Sequence, residues 1–219
     1  QREGEQARAV SDAVLAYANN VDSIEALVPV VKRIAHKHVS LGIKPEQYPI
    51  VGQNLLAAIQ HVLDLPEEHP ALLAWAEAYG VLADIFIRTE ESIYTANEEA
   101  EGGWRGFREF KVDKIIIETP EVKSFHLKPS DGNKIPDYKG GQYIGLKVNP
   151  EESEFDEIRQ YSLSGKRGQD HLRISTKAEV NGIVSKHLHQ CKVGDTVLLQ
   201  APTGVFVLDN NAKKHALIS

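Results

Sequence analysis

The chain has 219 residues, 42% of them hydrophobic and 26% charged, with 25 Lys and Arg against 31 Asp and Glu for a net charge of -6. This is the balance of a globular chain long enough for two cores, and its acidity argues against nucleic acid or an anionic membrane as principal partner. A single cysteine, Cys191, excludes an internal disulfide and a thiolate cluster for zinc or iron–sulfur. A cytoplasmic location and a small-molecule substrate are expected, because the sequence shows no signal peptide, transmembrane run or lipidation motif.

Apolar residues recur at helical spacing from about 5 to 97. Gln1-Arg2-Glu3-Gly4-Glu5-Gln6 leads straight into that pattern without a start methionine, so this end reads as cut. Val10, Val14, Leu15 and Tyr17 mark a first helix ending near Asn19-Asn20, and Asp22 with Glu25 forms a capping box opening the next. Pro29 either kinks that helix or sits in the first turn of another. Leu27, Val31, Ile34 and His38 then follow one stripe, whereas His36 lies about 200° round the helix and faces away. A break at Gly42-Ile43-Lys44-Pro45 is followed by a helix over 46–63. Punctuation from Pro66 to Pro70 precedes a last long helix reaching Tyr94.

A lone histidine on an apolar face is either a core imidazole satisfied by a carbonyl or a metal ligand. As a ligand it needs an acceptor for its second ring N–H, which Tyr48 and Glu90 could supply. Otherwise those two read as a half-buried aromatic and a solvated carboxylate. His61, His69, His187 and His189 read as solvated positions.

The run Glu98-Glu99-Ala100-Glu101-Gly102-Gly103-Trp104 marks a junction. Strand patterns then replace helical ones at 110–118, 124–127, 142–148, 158–164, 172–176 and 196–200, separated by turns such as Ser130-Asp131-Gly132-Asn133 and Lys139-Gly140-Gly141. They suggest a small antiparallel barrel. On a strand Arg159 and Tyr161 share a face, so a guanidinium for pyrophosphate and an aromatic for a planar ring lie together, with Ser162 adjacent. The alternative is an ordinary barrel strand. Asn181-Gly182-Ile183-Val184-Ser185 reads as a glycine-containing entry to a short helix whose N–H groups could hold phosphate, or as a plain turn. The final Ala216-Leu217-Ile218-Ser219 reads as a buried strand cut short.

Ile34-Ala35-His36-Lys37-His38, Ile43-Lys44-Pro45-Glu46-Gln47-Tyr48, Ile50-Val51-Gly52 and Ala78-Tyr79-Gly80-Val81-Leu82-Ala83-Asp84-Ile85-Phe86-Ile87 resemble the globin domain of bacterial and fungal flavohemoglobins. The resemblance implies that His38 is the proximal heme ligand and that Tyr48 and Glu90 form a charge relay behind it. It further implies that Lys37 tunes redox potential and that Gln6 is the distal glutamine, an amide donor to bound dioxygen. The distal tyrosine would lie upstream of residue 1. Gly141-Gln142-Tyr143-Ile144-Gly145, Arg159-Gln160-Tyr161-Ser162 and Ala201-Pro202-Thr203-Gly204 resemble the FAD-binding domain of the ferredoxin–NADP reductase superfamily as it occurs in flavohemoglobins. By that resemblance Tyr143, Arg159, Gln160, Tyr161 and Ser162 contact FAD, and Gly182, Val184 and Ser185 belong to the pyrophosphate helix.

The architecture expected is multi-domain, α then β. A globin-like helical domain over 1–100 is followed by a ferredoxin-reductase-type antiparallel FAD-binding β-barrel over 101–212, and 213–219 begins a truncated NAD(P)-binding domain. The resemblance implies an oxidoreductase, an NAD(P)H-dependent nitric oxide dioxygenase that uses heme b and FAD and takes dioxygen and nitric oxide as substrates. No nucleic acid, membrane or protein partner is expected. The alternatives are a heme-based oxygen carrier or sensor, which has no need of the Arg159 to Ser162 motif, and a flavin reductase with a structural helical domain.

Overall fold

The computed structural model describes residues 27–208 continuously, together with Arg8, Asp12, residues 14–17 and Asn19. Gln6, the Asp22–Glu25 capping box and the expected start of a third domain at 213–219 lie outside the described residues.

Among the described residues three long helices precede the sheet: α1 (Val28–Leu41), α2 (Tyr48–Leu63) and α3 (Pro70–Glu99). Pro29 lies in the first turn of α1, where its missing N–H removes no helical bond. Gly42 ends α1 in the left-handed region (φ 73°) and donates its N–H to the Val39 carbonyl at 3.0 Å. A short 3₁₀ turn, Pro45–Gln47, is steadied by the Lys44 N–H donating to Gln47 Oε1 at 2.8 Å. Asp64 (φ 50°) closes α2, and His69 Nδ1 accepts the Ala71 N–H at 3.2 Å at the start of α3. His69 therefore acts as a cap, not as the merely solvated residue expected.

Helix α3 runs five residues beyond the expected Tyr94, since nothing from Thr95 to Glu99 breaks a helix. Gly102 (φ 74°) and Gly103 follow, and a Cβ on Gly103 would stand 1.9 Å from the Asn97 carbonyl oxygen. Although no membrane-crossing run was expected, α3 is long and apolar enough to cross a membrane by length and composition. It also carries a buried row of Leu72, Leu82, Ala83, Phe86, Glu90 and Ile93, the pattern of a helix within a folded domain. On α1 the buried line is Leu27, Val31, Ala35 and Val39, with Ile34 and His38 half-buried beside it. The stripe thus lies slightly round the helix from the one that the sequence suggested.

The chain forms two compact units. One comprises Gln1–Ala35 and Ile43–Glu91, the other His36–Gly42 and Ser92–Ser219. The last turns of α1 therefore pack with the second unit, whose centre is a six-stranded sheet: β1 (Arg108–Thr119), β2 (Val122–Pro129), β3 (Tyr143–Val148), β4 (Glu157–Ser162), β5 (Leu172–Lys177) and β6 (Thr196–Leu199). A helix, α4 (Ile183–Gln190), lies between β5 and β6 in sequence. The spatial order is β4-β3-β6-β1-β2-β5, antiparallel throughout.

An isolated bridge between Leu163 and Ile174, with the Ser164 N–H donating to the Arg173 carbonyl at 2.9 Å, joins the two edges and makes the sheet a barrel. Its interior holds Phe110, Val112, Phe125, Leu127, Ile144, Leu146, Leu172, Ile174 and Leu199, all with at most 1% exposure. Period-2 alternation puts these side chains on one face of every strand.

Candidate functional site

In the helical unit the Tyr48 hydroxyl, at the start of α2, donates to Glu90 Oε1 on α3 at 2.5 Å. Glu90 is only 3% exposed, and Phe86, one turn earlier on α3, lies 6.5 Å from the Tyr48 ring. Glu90 is thus not the solvated helix carboxylate of the plainer reading. The Tyr79 hydroxyl donates to the Tyr48 carbonyl at 2.7 Å and fixes the same turn, and burial raises the pKa of the Tyr79 phenol. A buried carboxylate held by a phenol is costly unless hydrogen-bonded, and such pairs concentrate at functional sites.

In the second unit His38 is half-buried on the last turns of α1, with Lys37 exposed beside it. His36 does not face away: its Nδ1 lies 2.5 Å from Thr203 Oγ1 and accepts the Gly204 N–H at 3.2 Å. Ser40, wholly buried, donates its hydroxyl to the Lys37 carbonyl at 2.7 Å and accepts from Gln160 Nε2 at 2.5 Å.

Strand register divides the expected flavin residues between two faces. Arg159 pairs with Leu146 and Tyr161 with Ile144, so these two share the face of the barrel interior. Gln160 pairs with Gly145 and Ser162 with Tyr143, which puts them on the opposite face. Arg159 keeps 40% of its side chain exposed, pairs with Glu157 at 3.0 Å and donates to the Ile158 carbonyl at 2.7 Å. Burial pushes the Tyr161 phenol up to about 12, against the opposing effect of the Arg159 charge. The Tyr143 phenol is also raised by burial, partly offset by a hydrogen bond with Ser40.

Gly182 caps α4. A Cβ there would stand 2.3 Å from Ser185 Oγ, which accepts the Glu179 N–H at 3.1 Å and donates to the Gly182 carbonyl at 3.3 Å. Val184 is buried in the barrel core. The side chains of Val184 and Ser185 are therefore used internally, and α4 offers an anion the backbone N–H groups of its first turn.

Two histidines read as solvated are also placed otherwise. His189 Nε2 donates to the Thr176 carbonyl at 3.0 Å, with its ring edge-on to Phe125, and His187 is half-buried. His61 is exposed. Cys191 is half-buried, and burial pushes its thiol up to about 11, which removes it from nucleophilic chemistry at neutral pH. The sequence reading missed Ser40 and quoted Gly145 and Thr203 only within motifs, with no role of their own. One signal was available, a glycine inside an apolar strand, which marks close approach of another backbone.

Residues 2–86 match the globin family, and residues 109–208 match the oxidoreductase FAD-binding domain family. The chain is 45% identical to a flavohemoprotein of Bacillus subtilis over 219 residues, all of this chain and 54% of that protein. It is 48% identical to a flavohemoprotein of Deinococcus radiodurans, again over all of this chain and 55% of that one. It thus spans about half the length of the curated relatives that it matches. Its fold is similar to the crystal structure of a flavohemoglobin from Malassezia yamatoensis with bound FAD and heme, at a TM-score of 0.82 and 26% identity, over 97% of this chain and 55% of that one.

Proposed function

Since the chain belongs to the flavohemoproteins, globin-type in its first part and FAD-binding in its second, we propose that the protein is an oxidoreductase that holds heme b and FAD and acts as an NAD(P)H-dependent nitric oxide dioxygenase. The observation that carries this reading is the presence on one chain of a half-buried imidazole, a buried phenol–carboxylate pair and an Arg-x-Tyr-Ser barrel strand, in a fold shared with a flavohemoglobin bound to both groups.

The residues suit both groups. His38 offers a half-buried imidazole ligand, with Lys37 beside it. Glu90 and Tyr48 form an acidic pair of the kind that makes a ligating histidine more electron-donating. Tyr161 offers a half-buried ring with Arg159 on the same face of the strand, whose guanidinium is exposed enough to turn toward a pyrophosphate. Ser162 is exposed at the end of β4, across from Tyr143. Gly182 leaves room for the folded-back Ser185 hydroxyl and keeps the first turn of α4 open.

When bound, the two groups would supply passage of electrons from a reduced nicotinamide through FAD, which takes two and releases them singly, to the heme, where each nitric oxide and dioxygen consume one electron to give nitrate. The chain's own part is to hold, orient and tune. Arg159, Tyr161 and Ser162 would hold the flavin and His38 the iron, and the family resemblance assigns Glu90 and Tyr48 the charge relay.

The test is addition of an oxygen-free nitric oxide stock to the full-length, dioxygen-equilibrated holoprotein with NADH or NADPH, with nitrate and nicotinamide followed together. Two nitrates per nicotinamide oxidised support the dioxygenase. Reversible dioxygen binding without nicotinamide oxidation would point to a carrier or sensor. Unchanged turnover and heme potential in Glu90→Gln would remove that residue's role.

A further inference from the structure

The last turns of α1 are seated on the barrel by a set of side-chain and backbone contacts. Ser40 is wholly buried, its hydroxyl taken up by the Gln160 amide at 2.5 Å and the Lys37 carbonyl at 2.7 Å. Its backbone lies so close to β3 that a Cβ on Gly145 would stand 1.6 Å from the Ser40 carbonyl oxygen. One turn earlier His36 Nδ1 meets both the Thr203 hydroxyl and the Gly204 N–H. Because an amide can only donate, Nδ1 is an acceptor here, and the ring proton sits on Nε2. Beyond the helix end, Gly42 lies between Phe107 and the Gln200 side chain, each about 3 Å from where its Cβ would be, at 2.9 and 3.0 Å.

These contacts flank His38 on both sides in sequence, and their barrel partners lie on or beside the strands that carry Tyr143 and the Arg159 to Ser162 motif. We propose that Gln160 and Thr203 are positioning residues that clamp the His38 turn to the flavin-binding strands and thereby fix the path along which single electrons pass. This rests on the two-cofactor reading above. The side chain of Gln160, opposite Gly145, spans to the helix, so its work in the flavin motif is mechanical. Single-electron transfer falls steeply with separation, so residues that hold the two groups in place set its rate without touching either.

The experiment compares Thr203→Val, Gln160→Leu and their double variant with Thr203→Ser, which keeps the hydroxyl, in full-length holoprotein. Stopped-flow spectra separate flavin reduction by NADH from the following reduction of heme. The double variant should slow the flavin-to-heme step about tenfold or more, the loss of two part-buried hydrogen bonds, and Thr203→Val alone should slow it with FAD content and flavin reduction within about twofold of the original. Thr203→Ser should restore the rate. An unchanged transfer rate, or FAD loss that accounts for the whole effect, would overturn the proposal.

Hydrogen exchange in the cofactor-free chain gives a readout that does not depend on electron transfer. Amides of residues 36–42 should exchange about tenfold faster in the double variant while the barrel core stays protected. Equal protection would overturn the clamp even if heme reduction slowed. If heme in the unsubstituted protein never accepted electrons from flavin, the two-cofactor reading would fall, and exchange would still decide whether the clamp exists.

Discussion

The barrel and the helical unit solve the same problem of positioning in different ways. The barrel has a closed core in which Phe110, Phe125, Ile144, Leu146, Leu172, Ile174 and Leu199 are fully enclosed, and strand register then aims each flanking side chain. The described helices bury less: Leu72, Leu82 and Phe86 keep 7–8% exposure, while Leu63, Leu73 and Val62 keep 59–77%. Among the described residues, their functional groups include the Tyr48–Glu90 pair, with Tyr79 bonded to the same turn. A register-built site is rigid before ligand binds, whereas a cap-and-pair site gains much of its order from what it binds.

The sharpest way to break this contrast is a large-to-small change in each region. Phe125→Ala should cost the barrel about 3–5 kcal/mol, and Leu63→Ala on α2 within about 0.5 kcal/mol, read by denaturant unfolding of the chain. Equal losses would mean that the helical unit has a core as closed as the barrel's. Next in size is Tyr48→Phe, which takes the phenol donor from buried Glu90. A loss of about 1–3 kcal/mol in the helical transition is expected, with the barrel's near-ultraviolet signal unchanged. A smaller effect is expected at Gly182→Ala, where the new Cβ displaces the Ser185 hydroxyl. FAD should bind about tenfold more weakly by fluorescence titration, with little change in melting of the apo-barrel.

Two pH effects complete the series. Tyr161 ionises at about 12 in the fold against 10 unfolded, so its burial stabilises fully below pH 10, and that contribution disappears as pH rises through about 12. An ultraviolet titration should show a phenol ionising near 12 that is absent in Tyr161→Phe. Asp131 is held down to about 2, first by its hydrogen bond from Arg108, whose guanidinium also stacks over Trp104 at 5.2 Å. The contribution is present above about pH 3.8 and disappears as pH falls through about 2. The Asp131 carboxyl resonance should titrate in that lower range and return to the ordinary carboxylate range in Arg108→Lys.

Much of this was legible because it is local. Period-2 alternation gave the barrel strands to within two residues at their ends, and the same alternation put Arg159 and Tyr161 on one face. Helical spacing located α1, but i+3 and i+4 steps diverge by about 100° of arc, so the sequence favoured Ile34 and His38 where the fold buries Ala35 and Val39. The pairing of Tyr48 with Glu90 spans 42 residues; the need of a ligating histidine for an acceptor suggested the two residues, and the resemblance gave them as a relay. His36 with Thr203 spans 167 residues and Ser40 with Gln160 spans 120. Nothing periodic encodes such contacts. Only Gly145, small where its neighbours Ile144 and Leu146 are large, marked the place where the helix comes down on the sheet.

The central claim, one chain with two separately held redox groups, is tested most directly by visible absorption of the chain reconstituted with hemin and FAD, beside His38→Ala and Arg159→Ala. The account expects the heme band to change in the first variant alone and the flavin band to weaken in the second alone. A heme band indifferent to His38, or flavin bound equally well without Arg159, would contradict it.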